Sequence, residues 1–206
     1  EDKQRIFEKL QELTIDIKSL TATVNQEKQL QLLKKPVHVD GIITLKKPNM
    51  VRWDIVKPDK SIIAIDGEVM TVYHPDSKEA QVYDLLGNPT ARYSMNFFVT
   101  IMGGSLDEIK KQFVVDILHN KDEIVLKLTP LSKMVSRYLS YIVINYDKTT
   151  GLPHEFEMNS PKGDKTVTRF SQVKINPEMK TEFFKIRLSD DVKITNLPEH
   201  SRCITE

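Results

Sequence analysis

Residues 61–74 read Ser-Ile-Ile-Ala-Ile-Asp-Gly-Glu-Val-Met-Thr-Val-Tyr-His. Two apolar runs flank Asp66-Gly67, a dipeptide that tolerates positive φ and so predicts a tight hairpin. So short a connection makes the two strands antiparallel. The first run, Ile62-Ile63-Ala64-Ile65, does not alternate apolar with polar, as a strand packed on one face should. Both of its faces therefore need apolar cover.

Outward from this hairpin the same grammar repeats. Strands are predicted near 37–46, 50–56, 61–66, 69–74 and 79–84, with turns at Pro48-Asn49, Pro58-Asp59 and Pro75-Asp76. Leu20, Ala22 and Val24 alternate with polar residues and add a strand before these. Ile6, Leu10, Leu13, Ile17 and Leu20, with Phe7 beside them, keep helical spacing and predict an N-terminal amphipathic helix. Past residue 90, Phe97, Phe98, Ile101 and Met102 fall at helical spacing until Gly103-Gly104. Ser105 is placed to cap a short helix through Lys111. Strands resume at Phe113–Leu118, Ile124–Leu128, Met134–Asp147, His154–Asn159, Lys165–Lys174 and Phe183–Ser189.

Consecutive hairpins favour one large antiparallel sheet of about eleven strands that curls. In 138–146, Tyr138, Ile142, Ile144 and Tyr146 lie on one face and Leu139, Tyr141 and Val143 on the other. Two readings explain the apolar faces: helices on both sides, or a strongly curved sheet whose concave side holds an apolar cavity closed by helices. The fold class is α+β, with residues 1–206 forming one domain, and periodicity alone leaves both readings open.

Composition narrows the function classes. The chain has 206 residues, 30 Lys plus Arg against 29 Asp plus Glu, and a single cysteine, Cys203. A net charge of +1 is no footprint for a general nucleic-acid binder. One cysteine excludes an internal disulfide and a cysteine-cluster zinc site. No stretch approaches the roughly 18–20 apolar residues of a membrane span. Gly-x-Ser-x-Gly, the phosphate loop and Gly-x-Gly-x-x-Gly are absent. The five histidines are scattered, and His154-Glu155 lies on a predicted strand whose adjacent side chains diverge. Lys34-Lys35 reads as strand-end solvation. Neither a catalytic residue, a metal nor a cofactor is expected, and the chain is not expected to be an enzyme.

One ordered set of motifs carries a resemblance. Thr44-Leu-Lys-Lys-Pro-Asn-Met-Val-Arg-Trp53, then Lys57-Pro58-Asp59, Ile65-Asp66-Gly67 and Val72-Tyr73-His74-Pro75, resemble the LolA-type outer-membrane lipoprotein carriers. The Ile-Met-Gly-Gly core within 97–114 resembles that family's central helical segment. Thr166-Val-Thr-Arg-Phe170 and Phe183-Phe-Lys-Ile186 resemble its closing strands.

The resemblance implies an unclosed, strongly curved half-barrel capped by an N-terminal helix and central helices, and a periplasmic chaperone in mature form with its signal peptide removed. Its cavity would shield the acyl chains of lipoproteins. It would take cargo from an inner-membrane ATP-driven release complex and deliver it to an outer-membrane acceptor, acting as a monomer. Val51, Trp53 and Ile55 share one strand face and are expected to line the cavity. Met95, Phe97, Phe98, Ile101 and Met102 are expected to line it too, the last four as its lid, with Met adapting to irregular chains. Lys47 stands where better-known relatives carry an Arg implicated in latching the lid and in cargo release; a Lys lacks the planar fork of Arg. The rival expectations are a periplasmic lipid- or lipoprotein-sensing regulatory module, or a carrier of another lipid on the same fold.

Overall fold

The structure is a computed structural model that describes residues 3–85, 106–119 and 123–197. Helix α1 (Lys3–Thr14) leads into a meander of six strands: β1 (Ser19–Gln29), β2 (Val37–Lys46), β3 (Met50–Lys57), β4 (Ser61–Ile65), β5 (Val69–His74) and β6 (Glu79–Asp84). Helix α2 (Leu106–Gln112) opens a second meander of β7 (Phe113–His119), β8 (Glu123–Pro130), β9 (Tyr141–Asp147), β10 (Pro153–Asn159) and β11 (Lys165–Ile175). Strand β12 (Lys193–Leu197) follows. Among the described residues the twelve strands join one sheet in the order β12-β6-β5-β4-β3-β2-β1-β11-β10-β9-β8-β7. Strands β1 and β11 pair at its centre, and β7 and β12 stand at opposite edges, so the sheet does not close. It is antiparallel throughout except where β12 runs parallel to β6.

Asp66-Gly67 forms the expected hairpin. Gly67 takes φ 108°, and Asp66 Oδ1 accepts from the amides of Glu68 and Val69 at 3.1 and 3.0 Å. The helical stripe read through Leu20 ends earlier, at Thr14. The Thr14 hydroxyl donates back to the Leu10 carbonyl at 2.9 Å, a local alternative to continuing the helix. Ile6, Phe7 and Leu10 are buried by α1, whereas Ile17 and Leu20 reach the same core from the turn and from β1. Asn176 fixes this turn. Its Oδ1 accepts from the amides of Lys18 and Ser19, and its side-chain amide donates to the Asp16 carbonyl.

Two further strand assignments change. In place of one strand over Met134–Asp147, a 3-10 turn occupies Val135–Arg137 and leaves Tyr138 in solvent. Leu139 instead packs against the core. Phe183–Ser189 is not a strand: Thr181–Phe184 is a 3-10 turn lying on β3. The strand expected there is replaced by β12, and among the described residues the sheet has twelve strands rather than about eleven.

The core sits on the concave face, beneath α1 and α2. Cross-strand pairing places Leu20, Leu45, Val51 and Ile65 in one row and Ala22, Ile43, Trp53 and Ile63 in the next. On the other wing Phe156, Ile144 and Leu126 continue it, the last two with no exposure. Residues 176–192 cross the convex face of β3–β6 and explain the second apolar face of β4. Phe184 is 1% exposed there, and Ala64, Ala80 and Val192 are buried on the same side. Neither helices nor curvature covers that side of β4; an irregular segment does.

Candidate apolar binding face

The concave face is not buried evenly. Near the end of α1, Leu45, Val51 and Ile65 are fully covered. Two and four residues farther along β3, Trp53 and Ile55 are only half-buried, as are Ile63, Val72 and Met70. These five side chains lie on one face by register, since Trp53 opposes Ile63, Ile63 opposes Val72, and Ile65 opposes Met70. On the opposite wing Val115, Ile117 and Met158 are half-buried against the core. The sheet therefore presents two apolar wings flanking a sealed centre.

Gly41 sets the position of Trp53. A Cβ at Gly41 would stand 2.4 Å from the Asp54 carbonyl oxygen and 2.9 Å from Trp53 Nε1. The indole thus lies directly over the bare backbone of β2, where the β2–β3 register also shifts. Glycine within a strand commonly marks such a close approach.

A few polar groups interrupt the apolar floor. Gln26 and Thr168 face each other across β1 and β11, and the Gln26 side-chain amide donates to the Thr168 hydroxyl at 2.9 Å. Gln26 Oε1, Trp53 Nε1 and the Tyr146 hydroxyl are buried and have no hydrogen-bond partner among the described residues. Burial pushes the Tyr146 phenol well above its ordinary range. Of these groups only the phenol can ionise, and its raised pKa keeps it neutral.

Lys47 lies at the α1 end of this face. Its ammonium reaches the Thr14 carbonyl at 3.5 Å, and its backbone amide donates to the Lys18 carbonyl at 2.8 Å. A cation at a helix C-terminus complements the carbonyls left unpaired there. Burial holds its pKa below the ordinary lysine range. Arg52 takes the other face of β3. It pairs with Asp54, donates to the Phe183 carbonyl at 2.9 Å, and stacks on the Phe183 ring with 4.7 Å to the centroid. It thereby clips residues 176–192 to the convex side.

Of the residues singled out from sequence, Val51, Trp53 and Ile55 are brought together on the concave face. Met95, Phe97, Phe98, Ile101 and Met102 lie outside the described residues. Ile63, Met70, Val72, Val115, Ile117 and Met158 join the apolar wings without having been singled out. Each sits on a strand that sequence had located; only cross-strand register shows which face it takes. Among the described residues no group of three or more His, Cys, Asp and Glu is placed to hold a metal ion. Nor is any described helix long and apolar enough to cross a membrane.

Comparison with known proteins gives this face a context. The family described as outer membrane lipoprotein carrier protein LolA matches residues 16–187. An outer-membrane lipoprotein carrier protein of Coxiella burnetii is 23% identical over 155 residues, covering 75% of this chain and 69% of its own. One from Chromohalobacter salexigens is 20% identical over 155 residues, covering 75% and 70%. Among solved structures, an uncharacterized conserved protein from Thermus thermophilus aligns with a TM-score of 0.58 at 12% identity. It covers 94% of this chain and 98% of that one, and so supports the fold.

Proposed function

Because the chain belongs to the LolA family of outer membrane lipoprotein carrier proteins, we propose that it carries lipoproteins through the periplasm with their acyl chains held against the concave face. The observation that carries this reading is the pair of half-buried apolar wings, Trp53, Ile55, Ile63, Met70 and Val72 facing Val115, Ile117 and Met158. They adjoin a sealed core, so hydrocarbon entering between them extends an existing apolar interior. Val51 supports the wall from beneath. Lys47 holds the end of α1, the position from which a latch would act.

Hydrocarbon burial sets the energy scale. Each methylene contributes about 0.8 kcal/mol, so a fully shielded sixteen-carbon chain gains roughly 12 kcal/mol. Two or three such chains, at about 24–36 kcal/mol, would exceed the limit of non-covalent affinity of roughly 20 kcal/mol and prevent handover. Half-buried wings offset this, because their side chains already have apolar neighbours in the empty protein. In this reading cargo arrives from an inner-membrane ATP-driven release complex and leaves to an outer-membrane acceptor. The role is binding and release, with no covalent step.

The test compares an acylated lipopeptide with the same peptide lacking acyl chains. Trp53, the only tryptophan, provides the fluorescence signal and calorimetry the affinity. Saturable binding of the acylated form alone supports the carrier. Equal binding of both peptides, or of neither by folded protein, contradicts it.

A further inference from the structure

Five large apolar side chains that the concave core does not use gather at the opposite rim from Lys47. Leu32 is 97% exposed, Tyr138 78% and Met134 70%, and Leu33 and Leu131 are exposed beside them. They belong to two loops, 30–36 between β1 and β2 and 131–140 between β8 and β9. The turn at 160–164, between β10 and β11, lies between these loops. It is tied to the first by the Gln31 amide donating to Asp164 at 2.8 Å and by Gln31 Nε2 donating to the Gly163 carbonyl. It is tied to the second through the Ser140 amide, which donates to the Asn159 carbonyl at 2.7 Å. Strands β1, β11, β10 and β9 are consecutive in the sheet, so the patch spans about 14 Å at the usual strand spacing.

The charge of these loops is one-sided. Lys34, Lys35, Lys133, Arg137 and Lys162 stand against the single acid Asp164. All five cations are exposed. The other acids on turns of this rim, Asp59, Asp76, Asp190 and Asp191, lie at the ends of β3–β6 and β12, among Lys60 and Lys78, the latter paired with Asp191. Solvated strand ends account for lysines but not for Leu32, Met134 and Tyr138 beside them. Monomeric proteins seldom expose apolar side chains in such a group without a binding role.

We propose that this rim docks on an anionic lipid bilayer, with Leu32, Leu33, Met134 and Tyr138 entering the headgroup layer and the five cations meeting lipid phosphates. Exposed apolar tips ringed by basic residues combine the two attractions that hold proteins at a membrane surface. The proposal concerns cargo-free protein and does not depend on the carrier reading.

The experiment is flotation of purified, cargo-free protein with vesicles of phosphatidylglycerol mixed into phosphatidylcholine, against phosphatidylcholine alone. The protein is expected to float with the anionic vesicles and to be released by high salt. Reversing Lys34 and Lys35 to Glu should lower vesicle affinity by more than about tenfold, at roughly 1 kcal/mol per surface charge. Leu32→Ser with Met134→Ser should weaken binding while leaving circular dichroism and thermal unfolding unchanged, since both side chains are exposed. Equal binding to both vesicle types, no binding to either, or binding indifferent to these substitutions overturns the proposal. If the protein ignores vesicles and the same substitutions abolish cross-linking to a membrane protein, the rim is a protein-docking surface and the lipid assignment is wrong.

Discussion

Replacing Gly41 by Ala tests the link between the backbone and the proposed binding wall. The added Cβ would lie 2.4 Å from the Asp54 carbonyl oxygen, about 0.9 Å inside the roughly 3.3 Å at which carbon and oxygen settle. Both atoms are set by the backbone, so no side-chain rotation relieves the contact. Strands β2 and β3 must separate locally, and Trp53 Nε1, 2.9 Å from the same Cβ, must lift away. Overpacking of this kind costs about 1–3 kcal/mol, and a purely backbone clash belongs at the upper end. With a urea m-value of about 3 kcal/mol/M, the unfolding midpoint should fall by about 1 M. Trp53 emission should shift to the red in the native baseline. Ile42→Ala, one residue away on the convex face and 47% exposed, should change the midpoint little. A Gly41→Ala protein with wild-type midpoint and emission would refute the placement of the indole over β2.

Other perturbations have equally definite outcomes. Tyr146→Phe removes a buried hydroxyl that has no partner among the described residues and should stabilise the protein by about 1 kcal/mol in urea unfolding. The Tyr146 pKa is raised in the native state, so the unfolded chain ionises first and stability falls as pH climbs above about 10; the Phe variant should lose that part of the fall. Lys47 has the opposite sign: its pKa is lowered by burial, the unfolded chain binds more protons, and native stability should rise with pH toward the ordinary lysine range. Lys47→Met should flatten that rise in a stability profile measured between neutral and alkaline pH. Asn176→Ala should cost about 2 kcal/mol, because it removes the acceptor for two amides at the α1–β1 turn from a residue with φ 50°.

Local chemistry made much of the fold legible. Asp66-Gly67 located its hairpin, and the Pro-Asp turns bounded neighbouring strands, because those residues act on their own backbone. The N-terminal stripe departs from the structure at Leu13, which is 36% exposed, and beyond Thr14, where the helix has ended. Ile17 and Leu20 face the same core as Leu10, so their spacing imitates a helix after the helix has stopped. Strand β12 was hidden because its partner β6 lies more than a hundred residues earlier, and parallel pairing leaves no hairpin signal. The double apolar character of Ile62–Ile65 was visible, but its cause was not. Phe184 and Val192 cover the convex side from an irregular segment, and irregular segments have no periodicity to read.

The binding face was legible in part for a related reason. Val51, Trp53 and Ile55 could be grouped because they sit two apart on one strand. Joining them to Ile63, Val72 and Met70 requires the pairings of three strands, and joining Ile117 and Met158 requires the second meander. The exposed leucines at 32 and 33 carry no signal of their own beside Lys34-Lys35, since sequence alone does not show that loops 30–36 and 131–140 share a rim.

The central claim is that acyl chains occupy the concave face between the two wings. Photoreactive side chains placed singly at Ile63, Val72 and Ile117, with Ile42 and Val143 on the convex face as controls, test it directly on a radiolabelled acylated lipopeptide. The account predicts acyl-chain adducts from the three concave positions, abolished by excess unlabelled lipopeptide, and none from the controls. Adducts of equal yield from both faces, or from the convex face alone, would contradict it.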